Sequence, residues 1–303
     1  MAPTSTPPPT STAPAISVTN LTYTFPTTPP TPSLTNVTFH LPPSSRTLLI
    51  GANGAGKTTL LRLLSGKKLC PSGTILVGGV DPFATGLEGV SYLGLEWVLN
   101  PIVRHDIGVS ELLDSVGGQA WRARRDELVR ILDVDEGWRM NRVSDGERRR
   151  VQLCMGLVRP WAVLLLDEVT VDLDVLARSR FLGFLHGETL ARQCTVVYAT
   201  HIMDGLEGWP THIVRMTLGR VRQFGTVEEL SLQVRRAREM ADRERWERGE
   251  VDIWGGWRNS ALLDLVLGWL EEDFRERGPR GPRGGLRAKG EDGEGKEEGG
   301  RGG

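Results

Sequence analysis

One short segment constrains this chain more than any other, the glycine-rich run GANGAGKTT from Gly51 to Thr59. It follows Thr47 to Ile50, an apolar stretch that predicts a strand, and it leads into Thr58 to Ser65, which predicts a helix closed by Gly66. A strand, a loop of the form GxxxxGK[ST] and a helix form a phosphate-binding loop (P-loop), because its backbone N–H groups and the helix N-terminus attract anions. The segment therefore predicts an α/β fold that binds a nucleotide polyphosphate.

The side chains of this loop have separate expected roles toward a nucleotide. Lys57 should reach the β- and γ-phosphates, and the Thr58 hydroxyl should bind Mg²⁺. A glycine-rich turn with an incidental lysine is the alternative, and the predicted strand and helix on either side argue against it. The other residues that we expect to contact the phosphates are Gly51, Asn53, Gly54, Ala55, Gly56 and Thr59.

A second anchor for the metal is predicted at the end of another buried strand. Ala162 to Leu166 is apolar, and the carboxylates of Asp167 and Glu168 follow it directly. Ligands of open α/β sheets gather at the carboxyl ends of the strands. We therefore expect Asp167 to hold Mg²⁺ and Glu168 to polarise the attacking water as general base. The alternative is that both acids only cap the following turn.

The segment Val143 to Glu147 (VSDGE) opens a predicted helix that continues to Leu157. Ser144 and Glu147 have the spacing of a capping box, in which each side chain accepts a hydrogen bond from the other residue's backbone N–H. The same geometry suits a phosphate, since a serine hydroxyl and free N–H groups at a helix N-terminus attract anions. The sequence leaves a structural and a phosphate-binding role open for Ser144 and Gly146.

His201 stands just past the predicted strand Thr195 to Ala199. Alone, such a histidine would be better explained by a structural role. Its position in the chain, after the glycine-rich loop, the capped helix and the carboxylate pair, favours a sensor of the γ-phosphate. We therefore group His201 with Glu168 as a predicted catalytic residue.

The remaining pattern predicts layers of sheet and helix. The apolar runs at 162–166 and 195–199 are typical of a parallel sheet covered on both faces, and Ala177 to Leu190 predicts the helix between them. From about Pro101 to Val158 the residues are charged and helix-forming, which indicates an inserted helical subdomain. Further strands are predicted at Ile16 to Tyr23, Leu34 to Leu41, Thr74 to Val77 and Ser91 to Leu93, with a loop at Pro26 to Pro32 and a hairpin at His212 to Met216 and Val221 to Phe224.

Composition argues against several classes of protein. Lys plus Arg number 37 and Asp plus Glu 38, so the bulk charge gives no reason to expect direct nucleic-acid binding. Cys70, Cys154 and Cys194 are widely spaced without a CxxC pair, which argues against a disulfide framework and fits a reducing compartment. No run of about 18 apolar residues occurs, so we predict no integral membrane segment.

This ordered set of motifs resembles the nucleotide-binding domain of the ATP-binding cassette (ABC) ATPases over about Ile16 to Phe224. Gly51 to Thr58 is similar to the Walker A motif and Ser144 to Glu147 to the ABC signature. Asp167 with Glu168 is similar to Walker B and its catalytic glutamate. The resemblance implies an α/β fold, a P-loop NTPase core of the ABC type with an antiparallel β subdomain and an inserted helical subdomain.

The same resemblance implies further site residues. Asp174 is similar to the D-loop aspartate of the family, and His201 to its switch histidine. Phe25 stands near the position of the aromatic residue that stacks on adenine, with Tyr23 as the less favoured candidate. The implied ligands are ATP and Mg²⁺.

Three positions depart from the family pattern. Asp145 and Glu147 stand where the signature usually has glycine and glutamine. A carboxylate at position 145 would repel the γ-phosphate of a partner's nucleotide unless the arginines at 148–150 offset its charge. The Q-loop glutamine is absent, and Glu96 is its nearest substitute as a metal-sensing residue.

A narrower resemblance is to the soluble single-domain ABC proteins typified by the fungal ATPase associated with the CCR–NOT regulatory complex. It rests on Tyr92 to Trp97, Trp138 to Met140 and Tyr198 to Leu206. It implies a regulatory ATPase of the cytoplasm, and also of the nucleus, with CCR–NOT subunits as partners. One chain carries one P-loop and one signature, so two complete sites imply a homodimer formed on ATP binding. The alternatives are the ATPase subunit of a transporter with separate membrane subunits, and a module that uses ATP only as a dimerisation switch.

The predicted organisation has four parts. They are a disordered Pro/Thr/Ser tail at 1–15, the ATPase domain at 16–226 with its helical subdomain at about 100–160, a helical extension at 227–274 and a disordered Gly/Arg/Glu tail at 275–303. In the extension, Glu228 to Gly249 predicts a charged helix and Ser260 to Arg275 an amphipathic one. Leu263 and Val266 belong to the apolar face of the second helix, which packs on its own domain or pairs within the dimer, or else docks a soluble partner.

Overall fold

The computed structural model of the chain describes residues 14–69, 72–83, 87–94, 104–232 and 260–278. Glu96 and all but the start of the predicted helix Glu228 to Gly249 lie outside these residues. In chain order the elements are β1 (Ile16–Phe25), β2 (Thr31–Leu41), β3 (Arg46–Ile50), α1 (Lys57–Leu64), β4 (Ser72–Val77), β5 (Val90–Leu93), α2 (Val109–Ser115), α3 (Arg122–Leu132), α4 (Asp145–Leu157), β6 (Val163–Asp167), α5 (Val175–Arg192), β7 (Thr195–Ala199), β8 (His212–Thr217), β9 (Arg220–Thr226) and α6 (Ala261–Arg277).

The larger of two sheets has six strands in the order β5-β6-β7-β3-β8-β9. All neighbouring strands are parallel except β8 and β9, which form an antiparallel hairpin. Every residue of β3, β6 and β7 is buried, as expected for apolar strands covered on both faces. The α/β fold predicted from the sequence is confirmed.

The smaller sheet is antiparallel, in the order β2-β1-β4. Its β2 strand begins at Thr31 and pairs there with Phe25, so the segment Pro26 to Pro32, predicted to be a loop throughout, is partly strand. Pro32 is tolerated because β2 is an edge strand, where a missing backbone N–H costs no ladder hydrogen bond. This extension brings residues 31–33 toward the glycine-rich loop.

Helices α2, α3 and α4 lie between β5 and β6 along the chain, in the region that the sequence predicts to be helical. Leu113, Leu128 and Val151, one from each helix, are fully buried in the same apolar cluster as Leu164 of β6. A short ion pair between Arg124 and Glu188 (2.5 Å) joins α3 to α5. These helices therefore pack directly on the elements of the large sheet.

Helix α6 packs its apolar face on the same cluster. Leu262, Leu265, Val266 and Trp269 are all between 2% and 6% exposed and belong to the cluster formed by the large sheet and its helices. Leu263 is only half-buried. Of the two possibilities that the sequence left open, the buried side of α6 therefore packs within the protein. None of the helices in the described ranges is long and apolar enough to cross a bilayer.

The packing of α6 can be tested with neighbouring substitutions. Val266→Asp should lower the free energy of unfolding by about 3 kcal/mol or more, because it buries an unpaired carboxylate. Leu267→Asp, at a side chain that is 41% exposed, is the matched control and should cost about 1 kcal/mol or less. Urea denaturation of both variants measures the difference. Equal losses would contradict this placement of α6.

Candidate functional site

The glycine-rich loop connects β3 to α1 and lies against the turn between β8 and β9. A Cβ atom at Gly51 would come within 2.2 Å of the Met216 carbonyl oxygen, so only glycine fits at this position. Gly56, the N-cap of α1, has a left-handed backbone with φ 100°, which glycine adopts without strain. The Gly219 N–H donates to the Ala55 carbonyl (3.1 Å) and ties the turn to the loop.

Most of the predicted site residues meet in one cleft of about 480 Å³, a volume typical of small-ligand pockets. Phe25, at the end of β1, lies on its wall, with the Lys68 ammonium 4.7 Å from the centre of its ring. Gly51 precedes the cleft at the end of β3. The predicted residues that line it are Phe25, Asn53, Gly54, Ala55, Gly56, Lys57, Thr58, Thr59, Asp167, Glu168 and His201.

Lys57 is the buried cation of this cleft, with only 7% of its surface exposed. Its ammonium group donates to the Gly51 carbonyl (2.6 Å) and lies 3.2 Å from Nε2 of His201. Burial lowers the pKa of Lys57, while the nearby charges of Glu168 and Asp167 act against that shift. Burial and the Lys57 charge also lower the pKa of His201, so its ring is neutral at pH 7 and can accept at Nε2.

Glu168 stands immediately after β6 in a left-handed conformation, with φ 53°. Such backbone strain in a non-glycine residue is typical of functional sites. Its N–H donates to the Ala199 carbonyl (3.0 Å), and its Oε2 accepts from the His201 N–H (3.3 Å). Oε1 is buried and lies 3.3 Å from Nε2 of His201, but it accepts no hydrogen bond of good geometry within the described part of the chain. Burial raises the pKa of this carboxyl above its ordinary value, which is the direction expected of a general base.

The cleft contains side-chain oxygens of the kind that bind a magnesium ion. Asp167, at the end of β6, is 6% exposed and lines the cleft together with the exposed Thr58 hydroxyl. Carboxylate and hydroxyl oxygens are the ligand types that Mg²⁺ prefers. The Tyr92 hydroxyl donates to Oδ2 of Asp167 (3.3 Å) and fixes the orientation of the carboxylate. Both residues predicted as metal ligands in the described chain therefore line the same cleft, and their binding of Mg²⁺ stays a prediction.

Besides Gly51, three predicted residues of the described chain do not line the cleft: Ser144, Gly146 and Asp174. Ser144 caps α4, and the complete capping box with Glu147 is present. Oε2 of Glu147 accepts from the Ser144 N–H (2.7 Å) and hydroxyl (2.8 Å), which lowers the pKa of that carboxyl. Asp174 caps α5 through Ala177 (2.9 Å). The structure thus shows the capping role of Ser144, and its phosphate-binding role stays a prediction.

The charge of Asp145 is offset by a different set of arginines from the one predicted. Its carboxylate pairs with Arg148 and, at 3.5 Å, with Arg104. Arg149 instead donates to the Gly94 carbonyl (3.0 Å), and Arg150 pairs with Asp174 (2.6 Å). Of the three arginines at 148–150, only Arg148 pairs with Asp145, because successive helical residues point in different directions and only Arg148 lies on the face of Asp145.

Sequence reasoning missed two polar residues that support the cleft. Ser33 lines it, and its hydroxyl donates to the Thr59 hydroxyl (3.0 Å). Tyr92, which holds Asp167, lies in β5, the strand that pairs with β6. A signal for Tyr92 was available, because a tyrosine in a strand next to the carboxylates has a hydroxyl that needs a partner. No such signal existed for Ser33, since the segment before Leu34 is predicted to be a loop.

The raised pKa of Glu168 predicts a pH-dependent cost to stability. A pKa above the unfolded value of 4.5 means that the folded state favours the neutral carboxyl, so ionisation removes stability as the pH rises through the folded-state pKa. Glu168→Gln should therefore have a higher melting temperature than the wild type at pH 7, and the difference should shrink as the pH falls toward 4.5.

The matched control for this measurement is Glu207→Gln, at an exposed position, where the substitution should change the melting temperature little. Thermal denaturation without nucleotide between pH 5 and 8 gives the comparison. A Glu168→Gln variant less stable than the wild type at pH 7 would show that the carboxylate stabilises the cleft instead.

The similarity of the chain to known proteins agrees with this geometry. A family model described as "ABC transporter" matches residues 34–171. CCR4-associated factor 16 of Saccharomyces cerevisiae is 52% identical over 223 residues, which cover 68% of this chain and 77% of that protein. ABC transporter I family member 21 of Arabidopsis thaliana is 41% identical over 225 residues, covering 70% of this chain and 79% of that protein.

Solved structures show the same fold. CbiO1 from Clostridium perfringens, part of an ABC transporter complex, has a TM-score of 0.60 at 22% identity and covers 75% of this chain and 94% of its own. The dimeric bacterial ABC transporter cassette MJ0796 has a TM-score of 0.62 at 18% identity and covers 70% and 98%. The sequence relatives, the fold and the cleft lead to one conclusion: the chain belongs to the ABC ATPase family, whose members bind and hydrolyse ATP.

Proposed function

We propose that this protein hydrolyses Mg-ATP at two composite sites of a homodimer. The observation that supports the proposal is that the predicted site residues lie at two separate places on the chain's surface. The cleft holds Lys57, Asp167, Glu168 and His201, whereas Ser144 and Asp174 are exposed at helix N-termini outside it. Each cleft would therefore be completed by the Ser144 segment of a second copy.

An exposed apolar patch supports the dimer. Val171, Val175 and Leu176 flank Asp174 and are 53%, 86% and 58% exposed. Contiguous apolar side chains at this exposure mark interaction surfaces, because leaving them in water is unfavourable. In the homodimer these residues would be covered beside the two nucleotides.

The residues of the cleft divide the chemistry between them. Lys57 and the N–H groups of the loop bind the phosphates, and the Phe25 ring offers a surface for the base. Mg²⁺, held by Thr58 and Asp167, would supply positive charge to the β- and γ-phosphates. Oε1 of Glu168 accepts a hydrogen bond from the attacking water, and the N–H of the neutral His201 ring donates to the γ-phosphate.

We further propose a regulatory role in association with the CCR–NOT complex, in the cytoplasm and nucleus. The support is the 52% identity to a yeast protein whose name is CCR4-associated factor 16. The competing proposal is the ATPase subunit of a transporter with separate membrane subunits, a role that the names of more distant relatives carry. The two roles differ in the partner that the chain binds.

Complementation between two inactive variants tests the composite site. Lys57→Ala should lose ATP binding, because the phosphates lose the buried cation of the loop. Ser144→Asp should keep α4 capped, since aspartate is a good N-cap, but should repel the γ-phosphate of the partner's nucleotide. An equal mixture should regain up to about a quarter of the wild-type hydrolysis rate, because half of the dimers would carry one intact site of two.

Phosphate release from each variant and from the mixture is the measurement. Ser144→Thr, which keeps a hydroxyl and the cap, is the control and should hydrolyse ATP alone. No recovery in the mixture, with both variants folded and mixed dimers detected in the presence of ATP, would contradict a site shared between two chains.

Affinity purification of the native protein without detergent tests the regulatory role. We expect subunits of the CCR–NOT complex among the recovered proteins. In the presence of ATP, the amount of these subunits recovered should differ between the wild type and Glu168→Gln. Recovery of the protein mainly from membranes, together with a polytopic membrane protein, would overturn this role and support the transporter subunit.

A further inference from the structure

Helix α6 is joined to the large sheet by a buried ion pair. Arg215 of β8 is 6% exposed and Asp273 of α6 is 3% exposed, and Nη2 of the arginine lies 2.6 Å from Oδ1 of the aspartate. The same oxygen accepts a hydrogen bond from the Thr217 hydroxyl (2.8 Å). The Arg215 guanidinium also donates to the Trp269 carbonyl (3.2 Å). One carboxylate thus holds two side chains of β8.

This pair is a poor device for stability alone. Oδ2 of Asp273 and Nε of Arg215 are buried and have no hydrogen-bond partner in the described part of the chain. Desolvating two charges with incomplete hydrogen bonding offsets much of their attraction, and apolar residues of similar volume often stabilise such a site better. What a buried pair does provide is one defined position of the helix on the strand.

The strand that Asp273 holds is a wall of the glycine-rich loop. Arg215 pairs in register with Ile50, the last residue before that loop. The next residue of β8 is Met216. Its carbonyl oxygen lies so close to Gly51 that a Cβ atom built on that glycine would be only 2.2 Å from it. Two residues beyond Thr217, the Gly219 N–H donates to the loop carbonyl of Ala55 (3.1 Å). Residues 215–219 therefore contact the loop at both of its ends.

We propose that Asp273 is a positioning residue for nucleotide binding. Through Arg215 and Thr217 it fixes β8 and the following turn, and these set the distance between the two ends of the P-loop. The position of α6 on β8 thereby affects the affinity for ATP, although no described residue of α6 lines the cleft. The inference rests on the proposed nucleotide site, and it assigns to the C-terminal helix a role in that site.

Asp273→Asn tests the proposal, with Glu276→Gln as matched control. Asparagine keeps the shape of the side chain but removes the buried charge from Arg215, which keeps its exposed second partner Glu272 (2.9 Å). Glu276 lies on the same helix and pairs with Arg222 of β9, but both side chains are nearly half exposed and away from the loop. We expect Asp273→Asn to weaken ATP binding about fivefold or more with kcat little changed, and Glu276→Gln to bind ATP like the wild type.

Thr217→Val supplies a second variant in case Asp273→Asn does not fold. It keeps the ion pair and the side-chain volume but removes one hydrogen bond to Asp273, so it should weaken ATP binding in the same direction by a smaller factor. Calorimetric titration with ATP, and thermal denaturation without nucleotide, are the measurements. Wild-type affinity in every folded variant, even with a lowered melting temperature, would overturn the proposal and show a purely structural pair.

The readout separates this proposal from the proposed function. ATP affinity of a single chain depends on the P-loop and does not require hydrolysis or a dimer. A wild-type protein that binds ATP without hydrolysing it would overturn the proposed hydrolysis, while an affinity loss in Asp273→Asn would still support the positioning role.

Discussion

The buried ammonium group of Lys57 is the charge on which the rest of the site depends. Burial lowers the pKa of Lys57, and the negative charges of Glu168 and Asp167 act in the opposite direction and favour the protonated form. These groups can meet only because β6, β7 and β3 are adjacent and parallel, so that their carboxyl ends deliver the acids, His201 and the loop to one edge. The order of strands in the sheet is therefore the physical basis of the cleft.

A second set of interactions ties the two exposed helix N-termini into one unit. Arg149 is 1% exposed and lies 3.7 Å from Asp172, just before α5, while its Nη1 contacts the Gly94 carbonyl at the end of β5. Arg150 pairs with Asp174, the N-cap of α5. These contacts consequently fix the position of the segment around Ser144 relative to the start of α5. A second copy would meet these two N-termini as a single preformed surface.

Short patterns in the sequence predicted those parts of the structure whose residues lie close together along the chain. The glycine-rich loop, the apolar strands and the Asp167–Glu168 pair each have a signature within a few residues, and their meeting follows from the parallel sheet. Contacts between distant residues had no such signature. The Tyr92–Asp167 bond spans 75 residues and the Arg215–Asp273 bond 58, and no pattern within a few residues pairs the two partners of either bond. The roles of the site residues toward ATP stay predictions.

The amphipathic pattern of α6 illustrates the limit. Periodicity shows that one face is apolar, but a face that packs on its own sheet and a face that docks a partner have the same spacing. The structure distinguishes the two by Asp273, which lies one turn after Trp269 on the buried side of α6, where an acid requires a buried cation. That cation is Arg215, a charged residue within an otherwise apolar strand. The Arg215–Asp273 pair thus fixes the position of the C-terminal helix behind the nucleotide loop.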